Sequence, residues 1–198
     1  MWDERYSEPG YLYGTSPNDF LQAEFSRIPQ HGKVLCLAEG EGRNAVFLAT
    51  RGFSVTAVDQ SRVGLEKARR LALEQGVDIE IEVADLAHYD LGRSCWDGIV
   101  SIWAHLPTPL REQLHPKVVD ALKSGGVLIL EAYTPRQLDM SGFGGPPPSQ
   151  RNCFMTLDAL RSELAGLNLL VARELDREIS EGKGHQGLSA VVQVIASN

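Results

Sequence analysis

Residues 33–61 read KVLCLAEGEGRNAVFLATRGFSVTAVDQS, and this stretch decides the fold. Val34 to Ala38 is a short apolar run of the kind a buried strand needs. Gly40 and Gly42 make a Gly-x-Gly turn, Arg43 to Thr50 reads as a helix, and Phe53 to Val58 is a second strand that runs into Asp59. Strand, glycine turn, helix, strand and terminal carboxylate, in that order, make a nucleoside-cofactor site. The glycines let the backbone approach a ligand. The carboxylate can accept hydrogen bonds from both hydroxyls of a ribose.

Glycine spacing alone does not choose the cofactor. Gly40-x-Gly42-x-x-Ala45, with Asp59 about 20 residues on, also fits the dinucleotide fingerprint. Charge separates the two readings. A pyrophosphate wants bare N–H groups at a helix N-terminus, and this turn carries Glu39 and Glu41. Two carboxylates repel a pyrophosphate and suit a cationic ligand such as S-adenosylmethionine, with its sulfonium and ammonium groups. Arg43 offsets part of that charge.

The same segment resembles motif I and the following acidic strand of class I S-adenosylmethionine-dependent methyltransferases. It is similar in particular to the small bacterial group related to tellurite-resistance and thiopurine methyltransferases. Trp2-Asp3-Glu4-Arg5-Tyr6 and Tyr11-Leu12-Tyr13-Gly14 resemble that group's N-terminal lead-in. Trp96-Asp97-Gly98-Ile99-Val100 resembles its fourth-strand motif, and Gly125-Gly126-Val127-Leu128-Ile129-Leu130 its fifth strand. The resemblance covers nearly the whole chain. Two positions depart from it: Cys36 stands where the family usually has an acid, and Ala38 where it has a glycine. Both normally help seat the methionine end of the cofactor, and Glu39 beside them is the candidate to compensate.

A chain of 198 residues, 43% hydrophobic, fits a single domain over residues 1–198, with 1–30 as lead-in and helix. The formal net charge of -7 argues against a nucleic-acid partner and against docking on an anionic membrane. No stretch resembles a signal peptide or approaches the roughly 20 apolar residues of a membrane span. Cys36, Cys95 and Cys153 show neither a disulfide framework nor zinc spacing, so no metal is expected and a cytoplasmic location is.

Outward from the central stretch, the lead-in reads as irregular, and a helix is expected from Ser16-Pro17-Asn18-Asp19 to about Arg27. Ser61 can cap a helix from Arg62 to Gln75. Asp78 to Ala84 alternates as a half-exposed strand, and Trp96 to Trp103 reads as a buried one. A helix from Pro107 to Lys123 should be broken or kinked at Pro116. Gly125-Gly126 opens the strand Val127 to Ala132. A helix from Leu157 to Leu164 leads to strands Leu167 to Arg173 and Leu188 to Ile195 across a polar loop. The expected fold is therefore α/β, a three-layer Rossmann-like methyltransferase fold whose mostly parallel seven-stranded sheet ends in an antiparallel hairpin.

In such sheets, ligands bind beyond the carboxyl ends of the strands, where the strand order reverses. Ala38, Glu39, Gly40, Gly42, Asn44, Asp59 and Gln60 are the expected cofactor contacts around the first two strands. Asp59 could instead be a cap. By resemblance, Asp85 binds the adenine amino group and Leu86 its ring; otherwise Asp85 caps a turn. Tyr13 and Gly14 belong to a lead-in that closes as a lid in the resembling family, or packs as a strap. Trp103 either lines the pocket or sits in the core. His105 at the crevice mouth and His185, in a turn that resembles the family's GxGHxG, are the candidate catalytic residues; His105 could equally bond to backbone. The loop Gly142 to Pro148 either covers substrate or is a plain connection.

Methyl transfer to a small-molecule acceptor follows from this reading, with the cofactor carrying the hard chemistry. A thiolate or a metalloid such as tellurite needs almost no base; an oxygen or nitrogen acceptor needs one. Two rivals stand: an NAD(P)-binding oxidoreductase, and a module that binds S-adenosylmethionine without turnover. Monomer and homodimer are both compatible with the sequence.

Overall fold

In a computed structural model, which describes residues 2–198, seven strands form one sheet. They are β1 (Lys33–Leu37), β2 (Ser54–Asp59), β3 (Glu80–Val83), β4 (Trp96–Ile102), β5 (Leu122–Tyr133), β6 (Asn168–Glu181) and β7 (His185–Ser197). Their order is β3-β2-β1-β4-β5-β7-β6. The first five pair in parallel, while β7 is antiparallel to both β5 and β6. The order reverses between β1 and β4, which places a crevice beyond their carboxyl ends.

Helices α1 (Trp2–Tyr6), α2 (Asp19–Glu24), α3 (Arg43–Thr50), α4 (Arg62–Glu74), α5 (Thr108–Ala121) and α6 (Leu157–Glu163) complete the fold. Strand alternation sends side chains into two cores, one on each sheet face. Leu35 and Leu37 of β1 join Ile99, Leu128 and Val192 beneath Leu114 and Val118 of α5 and Leu160 of α6. Val34 and Cys36 join Val55, Val100 and Ile129 beneath Leu21, Phe47 and Leu65 of α2, α3 and α4. The result is the expected three-layer fold.

Three local expectations change and one is sharpened. The lead-in starts with the short helix α1. Within the expected start at Ser16-Pro17-Asn18-Asp19, Asn18 caps α2, its side chain accepting the Leu21 N–H. Pro116 lies inside α5 without ending it. Pro116 and Glu112, four residues earlier, are both exposed, so water can serve the carbonyl that proline leaves unpaired, while buried Leu114, His115 and Val118 hold the helix to the sheet. The polar loop expected between the last strands is instead strand. β6 and β7 stay paired to Glu181 and His185, with a turn only at 182–184. Charges alternating along β6 suit an edge strand with one wet face, and the longer hairpin carries His185 out over the crevice end of β5.

Gly42 shows how tightly the crevice is built. It has φ of 92°, and a side chain there would collide with Ala68 of α4. Left-handed backbone and overpacking together should make Gly42→Ala cost about 2–4 kcal/mol of unfolding free energy. The shift in urea midpoint measures it.

Candidate cofactor and acceptor site

The turn after β1 folds on its own carboxylates. Glu39 Oε1 accepts the Asn44 and Ala45 N–H groups at 3.0 and 2.9 Å, so it caps α3. Burial raises its pKa to about 7, even though those backbone donors pull it down. The Cys36 thiol lies against the same carboxyl and is itself pushed up by burial and by Glu39. Glu41 forms a buried pair with Lys67 at 2.8 Å and accepts the Leu12 N–H at 2.7 Å. Its charge is thus neutralised, and the electrostatic preference of the turn rests on Glu39 alone. Arg43 offsets part of the charge of Glu39, pulling its pKa down against burial, while its direct ion pair is with Glu181. Ala38 takes a φ of 50°, the left-handed backbone expected where the family has glycine.

At the end of β2, Asp59 accepts the Gly40 N–H at 2.9 Å and the Ser61 N–H at 2.7 Å. Burial raises its pKa, with these donors opposing. Each carboxylate oxygen retains a second lone pair. Ser61 caps α4 through Gly64 and donates to Asp3 at 2.5 Å, which fixes α1 beside this strand end. A cleft of about 380 Å³ opens there between Trp2, Asp3, Gln60 and Ser61. Tyr6 lies across the turn: a side chain at Gly40 would meet its hydroxyl at 2.6 Å, and one at Gly64 its ring at 2.9 Å. The lead-in is thus strapped over the glycine turn, and Lys67 holds it by donating to the Glu8 and Gly10 carbonyls at 2.8 and 2.7 Å.

The other half of the crevice is aromatic. Trp103 follows β4 with φ of 58°. Its ring stacks at 4.5 Å on Tyr133 and 5.1 Å on His185. Tyr13 lies 4.6 Å from His185 on the other side. The Tyr133 hydroxyl is 2.6 Å from His185 Nδ1. Burial lowers the His185 pKa to about 3 against the pull of Glu181, and that of His105 to about 4. Both rings are therefore neutral near pH 7. His105 Nε2 accepts the Tyr133 N–H at 2.9 Å, so that ring ties the segment after β4 to β5. The loop after β5 is more than a connection. Phe143 pairs with Gln186, and a side chain at Gly144 would strike both Tyr133 and His185.

Beneath this wall lies a buried ionic network that the sequence reading missed. Arg177 holds Glu131 through two bonds of 2.9 and 2.8 Å and reaches Glu181 at 3.2 Å. Glu181 also binds Arg43 and accepts the Trp103 indole N–H at 2.7 Å. Asn18 donates to Glu131 at 2.6 Å and Glu181 at 2.8 Å. Gln193, opposite Glu131 in the β5–β7 register, donates to it at 2.6 Å. A lone polar residue inside each of two apolar runs, VLILEAY and AVVQVIA, was the available signal.

The expected site residues therefore fall into three sets. Ala38, Glu39, Gly40, Asp59 and Gln60 lie around the glycine turn and the end of β2. Tyr13, Gly14, Trp103 and His185 lie on the aromatic side, with Gly14 against Gly182 of the hairpin turn. The rest carry structure in the geometry seen here. Gly42 packs on Ala68, Asn44 accepts the Asn18 N–H at 2.9 Å, and Leu86 is in the core. Asp85 caps its own turn through the Ala87 N–H at 2.9 Å, and His105 is bonded to backbone. Among the described residues no His, Cys, Asp and Glu side chains cluster as metal ligands, and no helix is long and apolar enough to cross a membrane.

A family profile described as a methyltransferase domain matches residues 34–126. The structure of TehB from Haemophilus influenzae superposes with a TM-score of 0.72 at 17% identity, covering 100% of this chain and 65% of that one. The fold is that of the class I S-adenosylmethionine-dependent methyltransferases. A structure solved for the conversion of a disulfide bond into a thioacetal group during echinomycin biosynthesis shares this methyltransferase fold, with a TM-score of 0.76 at 19% identity over 100% of this chain and 90% of that one. Among curated proteins, the tRNA (uracil(54)-C(5))-methyltransferase of Pyrococcus abyssi is 28% identical over 67% of this chain and 33% of its own length. The chain spans from a third to about half the length of the first two curated relatives it matches.

The neutral imidazoles give a pH test. His105 and His185 are depressed from 6.5, so the unfolded chain binds their protons first. Their stabilisation is present above about pH 6.5 and is lost as the pH falls, by about 2 kcal/mol each at about pH 5. Glu39, raised from 4.5 to about 7, acts the other way over that range. From these three groups together a net loss of about 2 kcal/mol between about pH 7 and pH 5 is expected, reduced by Asp59, whose raised pKa acts in the same direction as Glu39. His185→Phe should nearly flatten that profile in urea titrations.

Proposed function

We propose that this chain binds S-adenosylmethionine in the crevice beyond β1, β2 and β4 and transfers its methyl group to a small, soft acceptor, a thiol or a metalloid. The observation that carries the reading is Asp59, held at the end of β2 by the Gly40 and Ser61 N–H groups beside an open cleft. The side chains suit the ligand at both ends. Asp59 and Gln60 offer acceptors to ribose hydroxyls, with Asp85 and Leu86 toward the base. Glu39, beside Ala38, is the carboxylate for the methionine ammonium, in place of the acid absent at Cys36. Tyr13, Gly14 and the strap residues Trp2 and Tyr6 close over the ligand, while Gly40, Gly42 and Asn44 shape and tether the turn.

The cofactor, when bound, supplies an electrophilic methyl group whose departure leaves its bonding electron pair on sulfur. The chain's part is to align the acceptor and exclude water. Trp103, Tyr133 and His185 wall the acceptor side, and His105 fixes that wall from behind. General-base catalysis is most effective with a pKa near the working pH. His105 and His185, at about 4 and 3, are weak bases at pH 7. That favours an acceptor already carrying a lone pair at neutral pH. The sulfur chemistry named for the echinomycin structure points the same way. The net charge of -7 favours a small molecule over the tRNA named for the Pyrococcus relative.

Calorimetric titration with S-adenosylhomocysteine is expected to show saturable binding, weakened roughly 10- to 100-fold in Asp59→Ala, with no binding of NADH run in parallel. Binding of NADH alone would replace this reading with the oxidoreductase. Binding of S-adenosylhomocysteine without turnover on thiols, metalloid oxyanions, amines or tRNA would leave a non-catalytic module.

A further inference from the structure

We propose that Tyr133 locks His185 in the tautomer whose Nε2–H is free, so that His185 serves as a neutral hydrogen-bond donor that orients the methyl acceptor through a lone pair instead of deprotonating it. The inference rests on the methyltransferase reading and adds a positioning residue, Tyr133, together with a constraint on the acceptor.

The geometry begins with the 2.6 Å contact between the Tyr133 hydroxyl and His185 Nδ1. A hydroxyl carries one proton, and a neutral imidazole carries one donor and one acceptor nitrogen. Tyr133 is fully buried, and burial together with Glu181 and Glu131 raises its pKa, so it keeps its proton. The imidazole, pushed by burial the opposite way, stays neutral. The phenol is taken as donor, in keeping with Ser189, whose hydrogen bond lowers the Tyr133 pKa as a donor to the phenol oxygen would; Nδ1 is then the acceptor and the ring proton resides on Nε2. Among the described residues no protein group pairs with that nitrogen, yet it is not one of the fully buried side-chain atoms left without a partner. The His185 Nε2–H is therefore not sealed inside the protein. His185 as a whole is buried, so the small exposed part of the ring is the part a ligand would meet.

The surroundings hold this arrangement. The two rings lie 2° from parallel. Gly144 passes so close that any side chain there would strike the Tyr133 hydroxyl and His185 Nδ1, so the loop after β5 shields the bond from water. Tyr13 packs on the imidazole, and Gly184 leaves room for it to do so. The charged groups acting on the ring are Glu181 on β6, Arg43 on α3 and Arg5 on α1, with His105 neutral behind. Glu181 is tied up by Arg43, Asn18 and Trp103, so it does not take the His185 proton.

The transfer step balances without a proton from this dyad. A lone pair on the acceptor forms the new bond to the methyl carbon, and the carbon–sulfur bond breaks with its pair retained on sulfur. An ionised thiol or an oxyanion can accept the Nε2–H with a second lone pair. A protonated amine cannot.

The test is the imidazole nitrogen spectrum of histidine-labelled protein, without ligand and saturated with S-adenosylhomocysteine, paired with kinetics on 4-nitrothiophenol. The expected spectrum shows His185 as the Nε2–H tautomer, unchanged from about pH 5 to pH 8, and a tautomer mixture in Tyr133→Phe. With 4-nitrothiophenol, His185→Phe should lower kcat/KM roughly 10- to 100-fold, mostly through KM, and His185→Gln, which retains a donor at that position, should recover most of it. An Nδ1–H tautomer, a protonation within that pH range, or equal losses in the Phe and Gln variants would overturn the proposal. If 4-nitrothiophenol is not methylated, the spectrum decides alone. Failure to bind S-adenosylhomocysteine would count against the methyltransferase reading and not against the dyad, whose tautomer is read without ligand.

Discussion

The crevice depends on one ionic knot. Glu131 and Glu181 are almost wholly removed from water, and each would be costly to bury alone. Arg43 and Arg177 neutralise them pair for pair, while Asn18, Gln193 and Trp103 satisfy further lone pairs. The participants come from the lead-in, α3, the segment after β4, and strands β5, β6 and β7. The knot therefore joins the parallel part of the sheet to the terminal hairpin. An apolar core could pack those elements, but it would not fix their relative register as narrowly as directional bonds do. Glu181 sits at the last position before the hairpin turn, so the knot also fixes where that turn hangs.

From that anchor the two halves of the site follow. The overhanging turn meets the lead-in backbone to backbone: Lys183 and Gly184 donate to the Leu12 carbonyl, and Gly182 lies against Gly14. The lead-in is caught a second time by Glu41 and Lys67, which reach it from the glycine turn and from α4. The strap over the glycine turn is thus held in part by Glu41, one of the two carboxylates whose charge seemed, in the sequence, to be aimed at a ligand. Glu39 is the other. It caps α3 through one oxygen, and its raised pKa marks a carboxyl that would be better solvated with a cation beside it.

These double uses explain what the sequence showed and what it hid. Residues 33–61 announced the βαβ unit because strand, glycine turn and acid are set by local backbone chemistry. The Ser61 cap and the antiparallel end of the sheet were legible for the same reason. The partners of Glu41 and Arg43 were not, because Lys67 and Glu181 are distant in sequence and only the fold brings them near. The hairpin length was hidden by composition: a charged, alternating segment reads as loop until β7 is available to pair with it. Tyr133 escaped individual notice because it ends an apolar strand and looks like core, as indeed it is by burial. Its functional interest comes from one bond made across the sheet to His185.

Dryness and proton chemistry are linked on the aromatic side of the crevice. Stacking four rings at the ends of β4 and β5 removes water, which strengthens any electrostatic interaction made there. The same desolvation drives both imidazoles to their neutral forms, so the wall gains polarity control at the expense of basicity. A site built this way discriminates by what the acceptor brings, since it offers little help in removing a proton. An acceptor ionised in solution enters with its reactive lone pair exposed, whereas one that must lose a proton inside meets rings too weakly basic to take it. The fold accommodates many methyl acceptors. On the proposed reading, the burial of Tyr133 and His185 narrows that range in this chain.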